Sequence, residues 1–172
     1  MGMDVYGKNP VNEAGEYFRR NVWGWRPLWD YCLDRHGKVA GKVKYGHSND
    51  GDGLGKIGSQ KLAERLYQDL ADGSASAYIA ERNGLLASLE RPTCELCEGT
   101  GIRADGVGVE NGMPDRELSE EMKILTGRSH GWCNACGGEG KTDAWETNYY
   151  LDLDDIKEFA DFLANSGGFR IC

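Results

Sequence analysis

The sequence predicts an α+β fold that is mainly helical: a small helical domain with short β-ribbons around one module built on paired cysteines. Several stretches repeat apolar side chains at helical spacing between capping residues, as amphipathic helices do. Two Cys-x-x-Cys pairs are each followed by a glycine-rich turn. The 172 residues are enough for a hydrophobic core and correspond to one domain, or to one domain with a small module.

Residues 1–92 are expected to form an aromatic-rich segment followed by a pair of helices. Pro27 suits the first turn of a helix and Gly37 its C-terminal cap. A second helix is expected from about Ser59, and a third, capped by Ser74, should stop before the next proline. The short link between them favours an antiparallel pair. The apolar stripes that should face the core consist of Leu62, Ala63, Leu66, Tyr67 and Leu70, and of Tyr78, Ile79, Leu85, Leu86 and Leu89.

Residues 93–147 form the predicted cysteine module. The glycine-rich stretch 105–112 predicts a short hairpin or loop, and an inserted helix should follow and end at Gly127. Short β-ribbons at 101–104 and 141–145 would bring the two cysteine pairs together.

The last predicted segment, residues 148–172, is a helix that packs on the core. Asp154 is expected to cap it, and two glycines should end it. Its apolar side chains are those of Ile156, Phe159, Ala160 and Leu163.

The two cysteine pairs predict one metal site, with Cys94, Cys97, Cys133 and Cys136 as ligands. A Cys-x-x-Cys pair aims both sulfurs at one ion only if the backbone turns back after the second cysteine, which the following glycines permit. Four thiolates complete the closed tetrahedral sphere of structural Zn²⁺, whereas catalytic zinc keeps one position open. A redox pair, two disulfides or coincidence are the alternatives. A redox pair typically occurs once, at the start of a helix.

Cys94-Glu-Leu-Cys97-Glu-Gly-Thr-Gly101 and its counterpart from Cys133 to Gly140 both match the pattern C-x-x-C-x-G-x-G. In this pattern the chain resembles the cysteine-rich zinc domain of DnaJ-type co-chaperones. Four such repeats in that family build two zinc centres and help to hold unfolded clients, sometimes with thiol-disulfide activity. This chain has two repeats, more widely separated, and lacks the His-Pro-Asp signature of the J-domain. The resemblance implies one zinc ion and, as an alternative function, client binding.

Over its whole length the chain also resembles small uncharacterised proteins of bacteriophages and prophages. The stretches that carry this likeness are residues 3–10, 47–54 and 124–133. The resemblance implies a phage or prophage origin and therefore the cytoplasm of a bacterial host cell.

The net charge of −8 is unevenly distributed along the chain. Residues 1–50 carry eight Lys or Arg against six Asp or Glu, and residues 51–172 carry twelve against twenty-two. Such acidity disfavours nucleic acid as a partner, because binding to phosphates requires clustered cations. It favours a basic protein, which Glu117, Glu120 and Glu121 would contact from the exposed side of a helix. An acidic mimic of DNA that inhibits a host nucleic-acid-binding or defence protein is an alternative.

Two other segments are candidate sites. Trp23, Trp25 and Arg26 belong to a run of aromatic and cationic side chains that favours the core, with a protein-binding patch as the alternative.

The polar turn with His47, Asp50 and Asp52 could serve a hydrolase or a second metal ion, but it lacks the glutamate that an EF-hand loop requires. A surface turn before a helix is the default interpretation of this segment.

Taken together, these features predict an intracellular, zinc-stabilised protein that binds another protein and is not an enzyme. No apolar run approaches the length of about 18 residues that a membrane span needs, and the N-terminal residues contain no apolar signal core. The partner is expected to be a host protein. The composition does not specify an oligomeric state.

Overall fold

The computed structural model describes residues 2–172, which form two compact units. Unit 1 comprises the chain up to Ala87 together with Asn148–Cys172, and unit 2 is Ser88–Thr147. The C-terminal segment thus belongs to the same unit as the N-terminal segment. Unit 2 covers the cysteine module that the sequence places at 93–147. The fold is α+β and mainly helical, as predicted.

Unit 1 contains a three-stranded antiparallel sheet that the sequence analysis did not predict. Its strands are β1 (Gly2–Gly7), β2 (Tyr17–Asn21) and β3 (Phe169–Ile171), in the order β2-β1-β3. Val5 of the central strand lies opposite Phe18 on one side and Ile171 on the other. All three side chains are buried, so the sheet places one apolar face against the helices.

Helix α1 (Val22–Ala40) starts earlier and ends later than expected. The side chain of Asn21 accepts a hydrogen bond from the Gly24 amide at 2.9 Å and caps the helix, so Pro27 lies inside it. The helix is kinked at His36, whose φ and ψ are −131° and 32°, and it continues beyond Gly37. The expectation that Pro27 and Gly37 mark the ends was wrong because Asn21 is the stronger start signal.

Helices α2 (Lys56–Asp72) and α3 (Ser74–Ala87) are separated by Gly73 alone, which has a φ of 82°. Ser74, the expected cap of α3, is already helical, and its amide donates to the carboxylate of Asp72 at 2.9 Å. The stripe of α2 is buried at Leu62, Ala63 and Leu66, whereas Ala75 is the only buried residue of α3.

The predicted core stripe of α3 is therefore wrong over its second half. Tyr78 and Ile79 pack partly against the core, but Leu85 is 65% exposed and Leu89 is 39% exposed. These two leucines lie on the surface of the protein and not in its interior.

Helix α6 (Leu153–Asn165) buries one apolar face in the core of unit 1. Its cap is Asp152 and not Asp154: the Asp152 side chain accepts from the Asp155 amide, and the Asp155 side chain accepts from the Asp152 amide. This reciprocal capping box satisfies two amides that would otherwise lack partners. Its buried apolar residues are Ile156, Phe159, Ala160, Phe162 and Leu163, and Gly167 and Gly168 follow its end as predicted.

The core of unit 1 is rich in aromatic rings. Trp25 and Trp29 stack with ring centres 5.7 Å apart, and Phe159 lies edge-on to both. The indole of Trp25 donates to the Gly46 carbonyl at 2.8 Å, which satisfies its one polar atom. The interpretation of the aromatic run as core is confirmed for Trp25.

Unit 2 contains two short helices, α4 (Gly106–Glu110) and α5 (Glu120–Thr126). The expectation of a hairpin or loop at 105–112 was wrong, because the Asp105 carboxylate accepts from the Gly108 amide and starts a helix there. Helix α5 ends at Gly127 as predicted, with a φ of 68°. Residues 101–104 form no strand. The β-pairing in unit 2 consists of the isolated bridges Thr93 to Lys141 and Glu117 to His130.

Candidate metal centre

The structure brings the four cysteines of the two pairs together inside unit 2. Their sulfur atoms all lie within 4.8 Å of one another, and each of the four residues is buried. Cys94 Sγ lies 3.9 Å from Cys133 Sγ, and Cys97 Sγ lies 3.7 Å from Cys136 Sγ. These separations are far longer than the bond of about 2.05 Å in a disulfide. All four residues are free thiols.

The sulfur positions fit one tetrahedral metal ion. Zinc–sulfur bonds of about 2.3 Å place the corners of a tetrahedron about 3.8 Å apart. The two measured separations, 3.9 Å and 3.7 Å, lie on either side of that value. Among residues 2–172, these cysteines are the only group of three or more His, Cys, Asp or Glu side chains placed to hold a metal. Four buried cysteines can therefore hold one ion, with no ligand position left open.

Glycines in the two turns allow the backbones to approach each other closely. A Cβ on Gly101, where φ is 74°, would lie 2.2 Å from the Gly138 carbonyl oxygen. A Cβ on Gly140, where φ is 80°, would lie 2.2 Å from the Gly99 carbonyl oxygen. The two contacts are reciprocal, so the repeats face each other as near-equivalent knuckles and only glycine fits at either position.

Backbone amides of these turns point at the sulfurs. The Gly101 amide donates to Cys97 Sγ and the Gly140 amide donates to Cys136 Sγ, both at 3.2 Å. Such hydrogen bonds stabilise thiolate charge and orient the ligands.

The thiol pKa values show the two opposing influences in the cluster. Burial raises the pKa of Cys136 to about 12. Burial acts in the same direction on Cys97, but the Gly101 amide and the neighbouring sulfurs outweigh it and lower that pKa to about 7. A divalent cation between the four sulfurs would favour the thiolate form at every position.

Two arginines lie next to the cysteine turns, and the sequence analysis did not identify them. Arg128 donates to the Gly138 carbonyl at 2.6 Å. Arg116 lies over the ring of Trp132, next to Cys133, at 4.6 Å from the ring centre. Their roles depend on how the turns approach one another in space, so sequence spacing gives no signal for them.

The polar turn in unit 1 does not gather its three predicted residues into one site. His47 Nε2 lies 2.9 Å from a carboxylate oxygen of Asp30, and Asp50 accepts from the Ser48 hydroxyl. Asp52 accepts from three backbone amides, at Lys44, Tyr45 and Gly53, and mainly the Tyr45 bond lowers its pKa. Each side chain thus has a local partner of its own.

The predicted contact residues are placed as follows. Trp25 is fully buried and unavailable to a partner, Trp23 is half-buried with its ring 4.9 Å from that of Tyr149, and Arg26 is exposed. Glu117, Glu120 and Glu121 are all exposed, and the first two pair with Lys123 at 2.9 Å and 2.8 Å. The acidic candidates thus form a surface, whereas the aromatic candidates do not.

Comparison with family models, curated proteins and solved structures finds no match to this chain. The likeness to DnaJ-type zinc domains consequently rests on the two C-x-x-C-x-G-x-G repeats alone. Of the helices in residues 2–172, none has the length and apolar character needed to cross a membrane.

Proposed function

We propose that the protein is a zinc-stabilised binding protein whose metal is structural and whose unit 2 contacts another protein. The observation that carries this proposal is that unit 2 buries few apolar side chains and exposes several. Apart from the four cysteines, its buried hydrophobic residues among those described are Leu118 and Ala144. Five other apolar side chains of the same unit are at least half exposed, those of Val107, Val109, Ile124, Leu125 and Trp145.

Zinc is the metal that this ligand set favours. Four thiolates in a tetrahedral arrangement suit Zn²⁺, and a filled coordination sphere is typical of a structural site. The four cysteines make up most of the buried side chains of unit 2, where few apolar side chains are buried. Binding of the metal would therefore provide folding energy for this unit. Free thiols at such a centre fit a reducing compartment, which supports an intracellular location.

The proposed contact surface is the outer side of α5. Ile124 is 85% exposed and Leu125 is 65% exposed, one turn after Glu120 and Glu121 on the same short helix. We define this acidic and apolar face, with Glu117 beside it, as the α5 surface. Exposed apolar groups that lie together and are bordered by polar ones commonly mark protein interaction sites.

Charge specifies the kind of partner. Unit 2 carries six Lys or Arg against twelve Asp or Glu, a net charge of −6. Four thiolates and one Zn²⁺ would add −2. A partner segment with Lys or Arg around an apolar side chain complements the α5 surface in both respects. The same charge supports mimicry of DNA as a special case, in which the basic partner is a nucleic-acid-binding or defence protein of a phage host.

Client binding of the DnaJ type is a second candidate, favoured by the exposed apolar residues of a unit built on knuckles. It differs in what it recognises, because an unfolded chain would bind through apolar contacts with little dependence on salt. Hydrolysis at the polar turn has less support, since His47, Asp50 and Asp52 each have separate partners.

The deciding experiment compares three proteins as bait in a bacterial lysate, at low and high salt, with mass spectrometry of what is retained. The wild type should retain basic proteins at low salt. The double variant Ile124→Ser with Leu125→Ser should lose them, whereas Val107→Ser with Val109→Ser on α4 should not. Equal retention by both variants would exclude the α5 surface. Retention of denatured proteins that persists in high salt would favour the client-binding alternative.

A further inference from the structure

Arginine side chains in unit 2 differ in how their charge is balanced. Arg91 pairs with Glu139 at 2.6 Å and Asp143 at 2.9 Å, and Arg103 pairs with Asp105 at 2.8 Å. Arg116 lies over the ring of Trp132. Arg128 is half-buried and, among residues 2–172, has no carboxylate within ion-pair distance. Among the described residues Arg116 also has no ion pair but is exposed, so Arg128 is the arginine of unit 2 that is half-buried without one.

The guanidinium of Arg128 lies between the two knuckles. Its Nη2 donates to the Gly138 carbonyl of the second knuckle at 2.6 Å. The same nitrogen lies 2.5 Å from the place where a Cβ on Gly101, in the first knuckle, would be. Gly101 is the residue whose amide donates to Cys97 Sγ. One planar cation therefore touches the metal-binding turn of each repeat.

The other terminal nitrogen of Arg128 is buried without a hydrogen-bond partner in the part of the chain that the structure describes. Burying a charged donor away from water is unfavourable unless nearby negative charge offsets it. Arg128 contacts the turns that hold two of the four sulfurs, so the negative charge of the cysteine cluster can offset this cost. With Zn²⁺ bound, four thiolates leave a charge of −2.

We infer that Arg128 is the cation that balances the metal–thiolate centre and fixes the approach of the two knuckles. It is a positioning residue, since it contacts the turns and not the metal. Its positive charge stabilises the thiolates by attraction through a low-dielectric interior. Its planar guanidinium group holds the Gly138 carbonyl against the first turn. The inference depends on metal binding at the four cysteines and is independent of any partner of the α5 surface.

Two consequences follow for the centre. Losing a residue that supports metal ligands from outside the coordination sphere typically weakens metal binding about 10- to 100-fold. Thiolates without the nearby cation are also better electron donors. Arg128 borders a cavity of about 350 Å³ lined also by Gly99, Thr100, Leu125, Thr126 and Glu139, so solvent reaches this side of the centre. Its removal should therefore also expose the sulfurs to reagents.

The test uses the full chain with three substitutions. Arg128→Met keeps much of the side-chain volume and removes the charge, Arg128→Lys keeps the charge and loses the planar guanidinium group, and Arg91→Met removes one surface cation as a matched control. Zinc affinity is measured by competition with a chelator. In the Co²⁺-loaded proteins, the energy of the sulfur-to-cobalt charge-transfer band is measured. This energy falls as the thiolates become better electron donors.

Arg128→Met should weaken zinc binding about 10- to 100-fold and move the cobalt band to lower energy, with Arg128→Lys between it and the wild type. Arg91→Met should change neither. The inference is overturned if Arg128→Met matches Arg91→Met in both measurements. It is also overturned if affinity falls while the band stays unchanged, because that result would assign Arg128 a steric role alone.

Discussion

Gly101 and Gly140 occupy equivalent positions in the two knuckles, and each lies against the backbone of the other repeat. Their amides donate to Cys97 Sγ and Cys136 Sγ at the same distance, 3.2 Å. A Cβ on either would lie 2.2 Å from a carbonyl oxygen across the interface between the repeats. The metal site is therefore made by two copies of one local structure, each of which completes the other.

This symmetry predicts that alanine at either position disrupts metal binding. Gly101→Ala and Gly140→Ala each force the turns apart, so neither variant should bind stoichiometric zinc. Elemental analysis measures the zinc content. Gly112→Ala is the control, because Gly112 also has a positive φ, 64°, but nothing lies within 4 Å of its added Cβ. That control should cost only the backbone strain, about 1 kcal/mol, and keep the metal. Full zinc content in Gly101→Ala would contradict the close approach.

Removing the metal should unfold unit 2 selectively. Unit 2 buries few apolar side chains besides its cysteines, whereas unit 1 has its own aromatic core. A chelator, or Cys97→Ser, should therefore abolish hydrogen-exchange protection at the Cys94 and Arg103 amides, which bond within unit 2. Protection in β1 should remain. Continued protection of both unit 2 amides in metal-free protein would show that the metal is dispensable for folding.

The metal ligands could be read from the sequence because their signal is local. A Cys-x-x-Cys pair with glycines after it specifies its own turn, and each such turn needs only one counterpart. The sheet gave no comparable signal, since β1 pairs with β3 across nearly the whole chain and β3 has three residues. Helix α4 was not predicted because its glycines are typical of a loop or hairpin, although Asp105 is a recognisable helix cap. The role of Arg128 depends on tertiary approach, which no spacing encodes.

Trp25 provides a test of core against surface. It has no exposed area, stacks on Trp29 and donates to Gly46, so Trp25→Ala should destabilise unit 1 by about 3–5 kcal/mol. Trp23→Ala should cost clearly less, because Trp23 is only half-buried. Urea unfolding followed by circular dichroism measures both. An unchanged midpoint for Trp25→Ala would refute its assignment to the core.

Asp52 is expected to hold a turn and not to act in catalysis. Its carboxylate accepts from three backbone amides, mainly that of Tyr45, which lowers its pKa below the usual value of about 3.9. A lowered folded-state pKa stabilises the protein above the unfolded pKa, and this stability is lost as the pH falls through the folded pKa. Asp52→Ala should therefore reduce stability at pH 7 by about 1 kcal/mol or more and flatten the loss of stability below about pH 4.

The control for this prediction is Asp52→Asn, which keeps one acceptor oxygen and should fall between Asp52→Ala and the wild type. Thermal unfolding at pH 3 to 7 measures all three proteins. If Asp52→Asn retained stability and zinc but lost a hydrolytic activity present in the wild type, the polar turn would be a catalytic site and the binding proposal would be wrong.

The α5 surface predicts how association with a basic partner depends on salt. Fields between exposed charges are screened beyond about 8 Å at physiological ionic strength, so steering by the −6 charge of unit 2 should weaken as salt rises. Glu121→Lys should slow association more than it speeds dissociation, because charges at the rim of an interface act mainly on the encounter. Ile124→Ser should instead speed dissociation, since it removes apolar area that would be buried in the complex. Surface plasmon resonance at two salt concentrations separates the two rates.

Asp115→Lys, which changes an exposed acidic residue of unit 2 outside α5, is the matched charge control. Equal slowing by Asp115→Lys and Glu121→Lys would assign the effect to net charge, whereas slowing by Glu121→Lys alone places the contact on α5.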